Sequence, residues 1–157
     1  MITSSIFDIA LYILKSQGEI TAMKLQKLTF YVKAWGLVWD EEEIFPEEFQ
    51  AWANGAVSRD LYNKHRGLFK VNEKLFSDAN PSKILDNHRE TIDAVLKFYG
   101  VYTAQQLSDI NHQEPPWQEA RDGCPVYARC ENVITSASMA EYYSGIWYDT
   151  KKEQERT

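Results

Sequence analysis

Large apolar residues gather in one run of the chain, Met23 to Trp39. Within it Leu25, Leu28, Val32, Trp35 and Trp39 recur at 3-4-3-4 spacing, a continuous helical stripe. Phe30, Tyr31, Ala34, Leu37 and Val38 widen that stripe over most of the circumference, which predicts a central helix packed by neighbours on several sides. Thr21 is its N-cap candidate. Gly36 inside it costs roughly 1 kcal/mol relative to Ala, a cost that implies close approach by another backbone.

The flanking patterns supply the remaining elements. Ile6, Ile9, Ala10, Ile13 and Leu14 form the apolar face of a first helix. Thr3 or Ser5 can cap it, Ser5 with Asp8 resembles a capping box, and Gly18 stops it. After the acidic turn 40–43 the helical period breaks. Segments 43–45 and 48–53 read as short extended pieces, and Asn54-Gly55 as a turn. Ser58 caps a short helix carrying Leu61, Tyr62 and His65, closed by Gly67. Segment 70–76 is expected to be a strand or loop partner of 44–53. Ser82 is expected to cap a helix with Leu85, His88, Ile92, Leu96 and Tyr99 on one face, stopped by Gly100. Thr103 with Gln106 forms another capping box, opening a helix to His112 that Pro115-Pro116 ends ahead of a turn at 117–121. Segment 123–132 reads as loop or extended, and Thr135 or Ser136 opens a last helix over 139–148. The fold class is therefore mainly α: a compact domain of about six helices with a small β element near 43–57. Residues 1–149 form one domain, and 150–157 a polar, frayed C-terminal tail.

At 157 residues the chain can bury a core without disulfides or metal. Five Trp and nine Tyr exceed what such a core takes, so some are expected at a binding surface. The net charge of −6 disfavours non-specific nucleic-acid binding and a DNA-binding autorepressor. Cys124 and Cys130 do not have zinc-site spacing and read as reduced thiols of a cytoplasmic protein. The first residues lack a basic n-region and a cleavage site. The run 23–39, interrupted by Lys24, Lys27 and Lys33, falls short of a bilayer span, so no membrane contact is expected.

Catalytic signatures are missing: the chain holds no Gly-rich phosphate loop, HExxH, GxSxG or paired CxxC. No cofactor or metal is expected, and Asp40 to Glu43 read as a solvated turn rather than a cation site. His65 fits a structural or surface role, and His88 a hydrogen-bonded place in the core. His112, two residues from Glu114, invites an acid/base role in a small enzyme, but a helix-terminal His bonded to backbone carbonyls is the better reading. Lys24, Lys27 and Tyr31 share one helix face, either to receive a partner or to cover the core edge. Trp52, Trp117 and Trp147 each sit beside turns, where they can anchor an interface or seal the core.

Several local patterns, in order, resemble a known family. Met23-Lys-Leu-Gln-Lys-Leu-Thr-Phe-Tyr31 resembles the LQKL-x-Y helix of the Panacea domain, found in SocA-like antitoxins and phage-associated GepA-type proteins. Ile44 to Val57, with Ala51-Trp52 and Gly55, is similar to its A-W-x-x-G-P-V segment, with Ala56 standing where the family usually has Pro. Leu61-Tyr62 matches its following helix. Leu107-Ser108 and His112-Gln-Glu-Pro-Pro-Trp-Gln-Glu-Ala-Arg121 resemble its H-x-E-x-P-W-x-x-A-R stretch. The resemblance spans roughly Ile6 to Trp147. It implies a mainly α domain and a prophage-associated antitoxin that is not an enzyme. Such a protein binds a cognate toxin, encoded by an adjacent gene, and neutralises it. An alternative role is a proteolytic adaptor delivering the toxin to a ClpXP-type protease. Binding by aromatic burial steered by acidic charge is expected. Trp52, Tyr62 and Trp117 are the candidate anchors, and Lys24, Lys27 and Tyr31 either fix the fold or meet the partner.

Overall fold

The computed structural model of the protein describes residues 4–156. Helix α1 (Ile6–Gln17) opens on the Ser5–Asp8 capping box and closes at Gly18, which has φ of 77°; the alternative cap Thr3 lies outside the described residues. Strand β1 (Ile20–Thr21) leads into α2 (Ala22–Trp39), capped by the Thr21 side chain. Helix α2 is the hub: α7 (Ser136–Arg156) and α4 (Asp86–Tyr99) pack along it, and α1 and α5 (Ala104–His112) also contact it. Its side chains from Leu25 to Gly36 are all buried, as an all-round apolar pattern requires.

The β element is a hairpin. Strand β2 (Phe49–Trp52) pairs antiparallel with β3 (Gly55–Val57), in the register Gln50 to Val57 and Trp52 to Gly55. Helix α3 (Arg59–His65), capped by Ser58, follows directly. On the other edge β2 pairs with β5 (Val133–Ile134), just ahead of α7. A second, two-stranded pairing joins β1 to β4 (Lys70–Val71).

Several expectations change. Segment 43–45 is not a strand: Ile44 and Phe45 are core residues. Lys33 Nζ donates to the carbonyls of Phe45 (3.2 Å) and Glu47 (2.8 Å), so a lysine takes the place of a sheet partner. Lys70–Val71 pairs with β1 rather than with 44–53, and Glu73–Phe76 is a 3-10 turn. Ser82 does not cap α4. Asn80 caps a 3-10 turn at Pro81–Lys83, and α4 starts only after Leu85. Pro115-Pro116 opens a helix instead of introducing a turn, because Pro at the first helical position gives up no needed N–H: α6 spans Pro115–Ala120. Helix α7 runs on through 150–156, the segment read as a polar tail. Gly36 is approached most closely by a side chain, with backbone only at ordinary contact distance: a Cβ there would meet Ile44 Cδ1 at 2.7 Å and Glu42 O at 3.7 Å.

The cysteines are also corrected. Cys124 and Cys130 form a disulfide, with Cα atoms 6.0 Å apart. Arg121 brings them together by donating to the carbonyls of Pro125, Val126 and Ala128, which curls the loop around its guanidinium. No helix among the described residues is long and apolar enough to cross a membrane.

The acidic turn is less solvated than expected. Asp40 accepts from Thr91 Oγ1 (2.6 Å), Glu42 from the buried His88 (2.6 Å), and Glu43 from Ser136 Oγ (2.5 Å). It fastens the C-terminal end of α2 to α4 and α7.

A clamped hairpin and its aromatic face

The hairpin turns through Ala53 and Asn54 into Gly55, whose φ of 115° excludes ordinary side chains. A Cβ at Gly55 would also lie 2.6 Å from Lys27 Cε and 2.9 Å from Asn111 Oδ1. That crowding reflects a polar clamp. Ser108 Oγ donates to Asn54 O (2.6 Å), His112 Nε2 to Ala53 O (2.9 Å), Trp117 Nε1 to Trp52 O (2.8 Å) and Arg121 Nη1 to Ala51 O (3.1 Å). As the donors run forward from 108 to 121 along α5 and α6, the carbonyls they grip run backward from 54 to 51. Asn111 Oδ1 accepts from Ala56 N (2.7 Å), and Lys27 Nζ donates to Ala56 O (3.0 Å). His112 is thus a helix-end histidine bonded to a carbonyl, with the proton on Nε2.

The polar residues of α2 complete the clamp. Gln26 binds both backbone groups of Ser58, accepting from its N (2.8 Å) and donating to its O (3.1 Å), and it meets buried His65 Nε2 at 3.0 Å. Glu114 Oε1 accepts from Tyr31 Oη (2.6 Å), Tyr143 Oη (2.8 Å) and Asn111 Nδ2 (3.4 Å). Burial pushes the Glu114 carboxyl up, and the donated hydrogen bonds of Tyr31, Tyr143 and Asn111 pull against that. Burial first of all holds both phenols well above their ordinary value, reinforced by the Glu114 charge at Tyr31 and by Tyr31 and then Glu114 at Tyr143, so they remain donors. Burial lowers the Lys27 ammonium to about 7. Lys27 and Tyr31 are fully buried, and each is held by a hydrogen bond within the fold, Lys27 to Ala56 O and Tyr31 to Glu114. Lys24, half-buried, donates to Gly100 O (2.7 Å).

The outer face of the clamp is aromatic. Trp52 and Tyr62 meet edge to face, with centroids 4.9 Å apart. The Arg129 guanidinium lies 4.0 Å from the Trp52 ring centroid and 5.0 Å from that of Tyr62, and Arg59 approaches Trp52 at 5.8 Å. A hollow of about 380 Å³ opens here between Met23, Trp52, Tyr62, Tyr127 and Arg129. Tyr127 is 94% exposed and nearby Phe69 76%. The structure therefore unites Trp52 with Tyr62, with Trp52 itself buried beneath Tyr62 and Arg129 at 8% exposure. Trp117 stays partly buried, tied to the hairpin backbone and packed on His112.

Sequence reasoning gave Gln26 and Arg121 only as parts of the family motifs, without a structural role, and passed over Asn111, Tyr127 and Arg129. The signal for the last two was an aromatic and a cation spaced within a short loop between two cysteines.

A model of the family described as "Antitoxin SocA-like, Panacea domain" matches residues 25–118. No curated protein and no solved structure matches the chain. The matched stretch holds α2 from Leu25 onward, the hairpin and α5, and ends just beyond Trp117, so it takes in the clamp up to but not including Arg121. With more than half of the 157 residues matched, the chain belongs to the SocA-like antitoxin family built on the Panacea domain.

Proposed function

We propose that the protein is an antitoxin that neutralises a toxin encoded beside it by direct binding, without chemistry of its own. Family membership supports a role in a toxin–antitoxin system. The observation that carries the binding mode is the pair of Tyr62, partly exposed, and Arg129, exposed, packed over the buried Trp52 ring on a clamped hairpin. Aromatic and Arg side chains are the ones that dominate binding energy at interfaces. A platform fixed in advance loses little conformational entropy on association. His112 and Glu114, the pair that would serve a small enzyme, are both spent on hydrogen bonds within the fold.

Co-expression with the adjacent gene tests this. The neighbour is expected to arrest growth alone and to be silenced by the wild-type chain. Tyr62→Ala with Arg129→Ala is expected to weaken binding by at least about tenfold, roughly 1.4 kcal/mol, while the chain stays folded. A harmless neighbour, or toxicity that persists beside the wild-type chain, sinks the proposal.

A further inference from the structure

At the C-terminal end of α2 three helices leave a groove open. Helices α4 and α7 both pack on α2 and far less on each other. Between them runs a channel of about 580 Å³. Trp35 and Trp39 from α2 line it, with Val95 and Phe98 from α4 and Ile146 and Trp147 from α7. Phe98 is 64% exposed and Ile146 37%. The indoles form one surface: Trp39 lies 4.9 Å from Trp35 and 5.6 Å from Trp147, centroid to centroid. This is a three-helix arrangement with the fourth position vacant.

We propose that this groove docks an amphipathic helix, with acidic residues flanking its apolar stripe, borne on the toxin that the protein neutralises. The assignment to a toxin rests on the function proposed above; the chemistry of the helix rests on the groove alone. Three apolar helix faces call for anchors spaced i, i+3 or i+4 and i+7. The charge at the groove is basic: Lys97 lines it, and Lys151 Nζ sits 5.1 Å from the Trp147 ring centroid. Two ammonium groups beside an apolar channel select carboxylates on the flanks of the occupant. Trp35 Nε1 donates to Tyr99 Oη (3.0 Å), but the buried Trp39 Nε1 has no acceptor among the described residues.

Two measurements on the full chain test the inference. In the first, a synthetic helical peptide with a Leu stripe flanked by Glu is titrated against tryptophan fluorescence, beside the same peptide with Lys flanks. The Glu form is expected to bind at least about tenfold more tightly, and Phe98→Glu to abolish its binding. In the second, the product of the adjacent gene is titrated against Phe98→Glu and Ile146→Glu, both exposed positions that leave the core intact. Each is expected to weaken binding by at least about tenfold. Equal binding of both peptides, or of neither, overturns the helix assignment. A selective peptide combined with undiminished toxin binding overturns the assignment to the toxin. If the wild-type chain neutralises nothing while the Glu peptide binds selectively, the antitoxin proposal fails and the helix site stands. A dimer that Phe98→Glu converts to monomer assigns the groove to a second copy of the chain and overturns the inference.

Discussion

Near the start of α2, Gln26 and Lys27 reach the hairpin and satisfy the backbone of Ala56 and Ser58. At its end, Trp35 and Trp39 form the floor of an apolar channel, and the buried Trp39 indole N–H has no acceptor among the described residues. Both regions are rich in Trp, yet they use it differently. Trp52 and Trp117 are locked by hydrogen bonds as well as packing, whereas Trp39 and Trp147 are held by ring contacts. Buried polar groups are costly unless paired, so the clamp is where damage becomes loss of stability. Exposed apolar faces cost the monomer little, so damage in the groove is expected to leave stability nearly unchanged and to be read, under the proposal above, as loss of binding.

This contrast breaks first at Gly55. Gly55→Ala forces a side chain into a positive-φ site and against Lys27 and Asn111. A loss of about 4 kcal/mol is expected by urea denaturation; a near-neutral effect would mean the clamp is loose. Next comes Arg121→Ala, which strands carbonyls of Ala51, Val126 and Ala128. A loss of about 3 kcal/mol is expected, with faster proteolysis at 122–130.

Lys27 sharpens the picture through pH. Unfolded, its amine keeps a proton up to the ordinary value of 10.5; folded, it releases it at about 7. Between these values the unfolded chain binds more protons, so stability climbs with pH, by at most about 1.4 kcal/mol per unit. Lys27→Met is expected to flatten that slope between pH 7 and pH 9; an unchanged slope would assign it to other groups. The smallest effect is expected at the groove, where Phe98→Glu should change stability by less than about 0.5 kcal/mol in the same denaturation series.

What could be read from sequence was whatever is settled within a few residues. The Ser5–Asp8 and Thr103–Gln106 capping boxes, the Thr21 and Ser58 caps and the turn at Asn54-Gly55 all stand, because each closes its hydrogen bonds locally. Pairings across long separations were not legible. Nothing in Val133–Ile134 announces Phe49 and Gln50 as partners, and Lys70–Val71 carries no mark of Ile20–Thr21. Lys27 read as a partner-facing or core-edge lysine and Lys33 as a mere interruption of the apolar run, because the carbonyls that hold them lie 12–29 residues further on. The Trp52–Tyr62 pairing was half visible: both residues were singled out, but Arg129 reaches them only because Arg121 curls the loop between.

The forward-and-backward tie between residues 108–121 and 54–51 makes length matter more than identity there. A residue inserted at Gln113 would move Trp117 and Arg121 past their carbonyls together, while Ser108 and His112 stayed in step. Such a frame resists lengthening at its centre and tolerates substitution at its margins. Tyr127 on the hairpin face and Phe98 in the groove are both marginal in this sense. A chain built so can exchange side chains at two places without shifting any backbone that the clamp measures.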